Sequence, residues 1–140
     1  ACQEAVTLAS ALLKNAHITL HVKILQSPYV DGYPNEYAQV VLNLIINAKE
    51  ALVERKIAMP MIMVEVDVSA DGKTCVRVSD NAGGIDEKVH ESLFEPYVST
   101  KTTSGSGLGL YMAKMIIEQN MGGKLTASNT LEGALFSIEV

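Results

Sequence analysis

The chain has 140 residues, of which 48% are hydrophobic, and 16 acidic against 11 basic side chains leave a net charge of −5. That length and apolar content fit one domain, residues 1–140, with a full core, and the acidic balance argues against nucleic acid or an anionic membrane as the main partner. No apolar run reaches transmembrane length, and the start at Ala1-Cys2 shows neither a signal peptide nor an initiator Met, which suggests a domain excised from a longer chain.

The first expected element is a helix over Glu4 to Leu13, apolar at helical spacing. Ile18, Leu20, Val22 and Ile24 then alternate with His17, Thr19, His21 and Lys23, as in a half-buried strand. After a turn-rich break from Ser27, Pro34 suits the first turn of a helix running to Arg55 or Lys56, because its missing N–H would be unpaired there anyway. Met61 to Ser69 and Thr74 to Asp80 are expected as strands around an Asp71-Gly72 hairpin turn. A short helix near Glu87 to Leu93 leads into a polar segment, Ser99 to Ser106. A second long helix should cover Gly107 to Asn120, stopped by Gly122-Gly123, with closing strands over Lys124 to Ser128 and Ala134 to Val140. This order predicts an α/β (α+β) two-layer sandwich, a mixed sheet covered on one face by helices. Cys2 and Cys75 lack Cys-x-x-Cys spacing and fit buried or incidental thiols in a reducing compartment.

Three constellations bear chemistry. On the Pro34 helix, Glu36, Gln39, Asn43, Asn47, Glu50 and Glu54 share one stripe, and Val41, Leu44, Ile45, Ala48 and Leu52 form the apolar one. A solvated face is the ordinary reading, yet asparagine is a poor mid-helix residue, and an amide oxygen is a hard neutral ligand suited to Mg²⁺. Asp80 has the parity of Val76 and Val78, so its carboxylate should face the core with them and need a donor there. A turn-initiating Asp before Asn81-Ala82-Gly83-Gly84 is the ordinary reading; the functional one is an acceptor for an adenine amine, with Gly84 letting backbone approach the base.

Gly105-Ser106-Gly107-Leu108-Gly109-Leu110 opens a helix, where glycines bare the backbone N–H groups and the helix N-terminus favours phosphate. Its even spacing is not the dinucleotide fingerprint, and Gly122-Gly123-Lys124 does not complete a P-loop. Between these motifs, Asp86 to Ser104 is a lid candidate, expected to be mobile without nucleotide around Ser99 to Ser106. Within it Phe94 is a core anchor, and Lys101 is either a solvated lysine or a group reaching the terminal phosphate on closure. Tyr111, Met112 and Met115 are expected to pack. Together the motifs describe an ATP site.

These residues resemble a known family. Asn43-Leu-Ile-Ile-Asn47-Ala looks like the N box, Asp80-Asn-Ala-Gly-Gly84-Ile85 the G1 box, Leu93-Phe94-Glu-Pro96-Tyr97 the F box and Gly105 to Leu110 the G2 box of the ATP-binding catalytic domain of sensor histidine kinases, in the GHKL superfamily with its Bergerat fold. Gly122-Gly123 and Gly133-Ala-Leu-Phe136 stand where that family has its last glycine element. The resemblance implies that Asn47 coordinates Mg²⁺, Asn43 assists it, Asp80 reads adenine and Gly84 supports the pocket. By the same resemblance Gly105, Gly107 and Gly109 carry the phosphate loop and its hinge; Ile85, Phe94, Leu108 and Leu110, with Lys101 if the lid closes on the phosphates, are the expected remaining cofactor contacts. Two positions depart from the common pattern: Ala82, which would narrow the pocket slightly, and Glu50, where many members carry a basic residue.

What the resemblance further implies is a cytoplasmic kinase domain that holds Mg·ATP for an external nucleophile. That nucleophile is a histidine on a separate dimerisation domain of the same protein, which passes the phosphoryl group to a response-regulator receiver domain. The isolated domain would be a monomer and the full-length kinase a homodimer. In related ATPases a glutamate one turn before the metal-binding asparagine activates water; Asn43 occupies that place here. His17, His21 and His90 lack the phosphoacceptor context. A serine kinase of the anti-sigma-factor type and a nucleotide-regulated docking module are the alternatives.

Overall fold

The computed structural model describes residues 7, 10, 14, 17–24, 34–84, 94 and 109–140. Of the Glu4 to Leu13 helix only Thr7 and Ser10 are described, both helical, as is Lys14 just beyond it; the helix expected near Glu87 lies outside the described residues. Strand β1 (Thr19–Ile24) precedes helix α1 (Pro34–Glu54), the hairpin β2 (Met61–Val68) and β3 (Thr74–Asp80), helix α2 (Gly109–Met115), a π-helical turn (Ile116–Asn120), and the hairpin β4 (Lys124–Asn129) and β5 (Ala134–Glu139).

The strands form one sheet in the order β1-β2-β3-β5-β4, parallel at β1–β2 and antiparallel elsewhere. Register carries one apolar row straight across it: Val22 pairs Val64, Val64 pairs Val78, Val78 pairs Phe136 and Phe136 pairs Ala127. Val22 on the edge strand is 40% exposed, but alternation along β2, β3 and β5 sends Val64, Val78 and Phe136 to one buried face. There they meet Tyr37, Val40, Val41, Leu44, Ile45, Ala48 and Leu52 of α1, Ala113 of α2 and Ile117 of the π turn in one core. Burying such side chains contributes about 1.5–3 kcal/mol each before the entropy of ordering is counted. The other face is polar, with Arg77 held by Glu65 at 3.0 Å and by Asp67 at 3.7 Å. The two-layer expectation is met.

Two departures concern the second helix. The continuous helix expected from Gly107 is α-helical only from Gly109 to Met115, then widens into a π turn in which the Met121 N–H reaches back to the Ile116 carbonyl. Met112, expected to pack, is 47% exposed, while Ala113 and Ile117 take the buried positions. The expected stop is correct: Gly122 adopts φ +67°, and the Gly123 N–H closes on the Ile117 carbonyl at 2.8 Å. Helix α1 ends without glycine. Lys56 takes φ +52°, and the Ile57 N–H bonds the Leu52 carbonyl, reversing the chain just after Arg55.

Candidate nucleotide site

Asp80 closes β3 on the core face, 8% exposed, as its parity requires. Its Oδ1 accepts from the N–H groups of Ala82 at 2.9 Å and Ala134 at 3.3 Å. Among the described residues, no donor meets its second oxygen. Burial pushes the carboxyl above its ordinary value, opposed by those two N–H groups and by the charge of Arg55. A partly satisfied, desolvated carboxylate at a strand end is poised to take one more donor.

The turn after it is held from several sides. The Asn81 side chain accepts from the Met61 N–H at 2.9 Å and donates to the Met59 carbonyl at 2.8 Å, tying the turn to the start of β2. Gly83 and Gly84 adopt φ +100° and +97°, a conformation that only glycine takes freely, and the Gly83 N–H bonds the Glu132 carbonyl. Arg55 Nη1 donates to the carbonyls of both Ala82 and Gly84 at 2.7 Å. On the far side, a Cβ at Gly133 would meet the Asp80 backbone carbonyl and lie 2.6 Å from Oδ1. Ala82 is buried within the core, where its methyl packs with apolar side chains.

Helix α1 presents Asn43 and Asn47 half-buried on the stripe beside its core face, and Gln39 donates to the Asn43 amide oxygen at 2.9 Å. The helix packs across β2 and β3 and against α2. Phe94 packs edge-on to Phe136, centroids 6.3 Å apart, with Lys114 Nζ 4.6 Å over its ring. Leu110 packs against the core, and a Cβ at Gly109 would meet nothing within 4 Å among the described residues. Ile85, Lys101, Gly105, Gly107 and Leu108, with the lid segment Ser99 to Ser106, lie outside the described residues. His17 and His21 are exposed, the latter on β1. No three His, Cys, Asp or Glu side chains converge among the described residues.

Sequence reasoning missed Arg55 and Asn129, whose Oδ1 would lie 3.0 Å from a Cβ at Gly84. Neither lies in a motif. Arg55 carried only the signal of a cation at a helix end.

A family model described as histidine kinase-, DNA gyrase B- and HSP90-like ATPase matches residues 32–140. The chain belongs to that ATPase family. The two-component sensor PprA of Pseudomonas aeruginosa is 38% identical over 118 residues, 82% of this chain and 13% of that protein. Sporulation kinase A of Bacillus subtilis is 36% identical over 112 residues, 80% of this chain and 18% of its own length. The chain thus spans under one fifth of either relative. Among solved structures, the nucleotide-free catalytic domain of histidine kinase ThkA superposes with a TM-score of 0.82 at 27% identity, covering 99% of this chain and 89% of that one. A ThkA structure in complex with the response regulator TrrA gives a TM-score of 0.79 at 26% identity, with 99% and 38% covered. The chain shares the mixed-sheet fold of the catalytic domains of sensor histidine kinases.

Proposed function

We propose that this domain binds Mg·ATP and donates the γ-phosphate to a histidine on a separate dimerisation domain of the same protein, which then passes it to a receiver domain. The observation that carries the reading is Asp80: buried, fixed by two backbone N–H groups through one oxygen, with the other lacking a donor among the described residues. An adenine exocyclic amine supplies that donor, and Gly84 keeps the approach to the base clear of a side chain. Asn47 offers an amide oxygen to Mg²⁺ and Asn43 assists it. Bound there, the ion would neutralise charge on the phosphates. Lys101 meets the terminal phosphate, Gly105, Gly107 and Gly109 offer backbone N–H groups to the chain of phosphates, and Ile85, Phe94, Leu108 and Leu110 enclose the nucleotide.

Catalysis on this reading is positioning and electrostatics. An asparagine amide has no basicity to take a proton from water, so with Asn43 where related ATPases carry glutamate, hydrolysis by the domain alone is slow. The phosphoryl group leaves for an external imidazole. The full kinase is a cytoplasmic homodimer on the same reading. Support comes from the named relatives, all sensors or kinases, and from the ThkA complex with its response regulator.

The test is calorimetric titration with ATP and GTP, followed by radiolabelled ATP with and without the separately supplied acceptor domain. Preference for ATP, little hydrolysis by the domain alone and label on the acceptor histidine are expected. Equal affinity for the two nucleotides, or stable label on His17, His21 or His90, would sink the assignment.

A further inference from the structure

Arg55 is the one described side chain that grips the glycine turn through two carbonyls, and it does so from the helix that carries Asn43 and Asn47. Its Nη1 donates to the carbonyls of Ala82 and Gly84, both at 2.7 Å. Those carbonyls flank Gly83, whose positive φ, like that of Gly84, folds the backbone so that both oxygens face the guanidinium. Nothing else at the end of α1 does this. The helix finishes at Glu54, the Arg55 N–H still bonds the Ala51 carbonyl, and Lys56 turns the chain away at φ +52°. Arg55 is therefore anchored as the last turn of the helix is, and its guanidinium is aimed at the turn rather than along the chain.

We propose that Arg55 is a positioning residue for the nucleotide: it clamps the Asp80–Gly84 turn to the end of α1 and so fixes the base-reading carboxylate relative to the asparagines of that helix. The clamp rests on the ATP reading of the site. Two consecutive glycines at positive φ can relax into many other conformations, and the loss of that freedom is what a ligand would otherwise have to supply on binding. A guanidinium, planar and always charged, presents its N–H bonds in fixed directions and suits two converging carbonyls better than a flexible ammonium does. Its charge also opposes, to a small extent, the burial that raises the Asp80 carboxyl. Held in this way, Asp80 discriminates between bases. Released, it still carries a carboxylate, but one whose direction is no longer set.

The experiment is titration of the 140-residue chain and its R55M, R55K and R55Q variants with ATP and GTP, each variant's fold checked by circular dichroism and thermal melting. R55M should weaken ATP about tenfold and GTP much less, shrinking the preference, in line with the loss of charge-assisted hydrogen bonds. R55K should recover most of it. An R55M domain that keeps both affinity and preference within about twofold would overturn the clamp, as would an equal loss for the two nucleotides with the preference intact, which is what a merely structural role predicts. If R55M does not fold, R55Q decides by the same two criteria. A wild-type domain without preference for ATP would instead defeat the reading of the site, whatever Arg55 does.

Discussion

Strand β3 has an aspartate-glycine turn at each end, and the two turns have opposite electrostatics. At the outer end Asp71 and Gly72 close the β2–β3 hairpin in solvent. Asp71 accepts from the Ser69 hydroxyl and approaches Lys73 at 3.9 Å, and its carboxyl is held below the ordinary value, first by that hydroxyl and then by its own backbone N–H. At the inner end Asp80 is pushed the other way by burial. Gly72 is glycine for conformation alone, with φ +84° and open space around it; Gly133, beside Asp80, is glycine for space alone. The pairing teaches that an Asp-Gly string does not mark a site. What marks one is a carboxylate kept in the core at a cost that the fold offsets only in part.

The sharpest way to break the comparison is to add a methyl group at each end. Gly133→Ala drives Cβ into the Asp80 backbone carbonyl, between strands that cannot separate without losing their ladder. A loss of roughly 3 kcal/mol is expected, with ATP binding lost beyond tenfold. Gly72→Ala meets no atom and is strained only by its φ, costing about 1 kcal/mol with ATP binding unchanged. Urea denaturation of both variants checks this; equal costs would show that the inner end is not close-packed.

Next comes the charge itself. Asp80→Asn keeps an oxygen for the Ala82 and Ala134 N–H groups but removes the desolvated charge. Affinity for ATP should fall about 10- to 100-fold and the preference over GTP shrink, because the amide donates as well as accepts. Stability at neutral pH should rise, by something on the order of 1 kcal/mol. A destabilised variant would contradict the argument from burial.

The pH dependence follows from the same group. Because the folded Asp80 binds its proton more readily than an unfolded aspartate at 3.8, the stability linked to its protonated form is complete below that value and is lost as pH rises through the raised one. On the proposed reading, binding of the base needs the ionised acceptor. ATP affinity should therefore decline on acidification at a pH above 3.8, and the difference between the wild type and Asp80→Asn, which cancels the titration of the phosphates, isolates the step. Titration calorimetry across pH 4 to 7, roughly one unit per point, suffices, since a one-unit shift is about 1.4 kcal/mol. A constant difference across that range would remove Asp80 from the binding equilibrium.

How much of this was legible follows from the range of the interactions. The stripe on α1 and the inward parity of Asp80 are local periodicities, of period 3.6 and two, and both stand in the structure as the residue order implies. The grip of Arg55 spans 27 and 29 positions and the Ala134 contact 54, and no local pattern records them. The π turn escaped for a related reason. Ile116 and Ile117 satisfy a helical period, but which of them is buried depends on the strand beneath, where Leu125 bonds Glu118. Gly133 was visible as a glycine near the end of the chain, while its reason, contact with Asp80, needed the β3–β5 register.

The smallest effect belongs to Asp71→Asn, and its sign sharpens the comparison most. A carboxyl held below its ordinary value contributes stability that is present above the unfolded value and is lost as pH falls through the lowered one. Removing the charge should thus slightly destabilise the domain at neutral pH and have no effect in acid, the reverse of Asp80→Asn. The loss should be small because Asp71 and Lys73 are exposed, with side chains 65% and 53% accessible, and solvent and salt screen such pairs. Nucleotide affinity and the preference for ATP should not change, since the hairpin lies at the far end of β3 from Asp80. Denaturation midpoints for the two aspartate variants, measured side by side at neutral and acid pH, read out both signs. Two variants shifting in the same direction at neutral pH would mean that burial does not distinguish the two turns, and the case for Asp80 as the base-reading group would lose its physical ground.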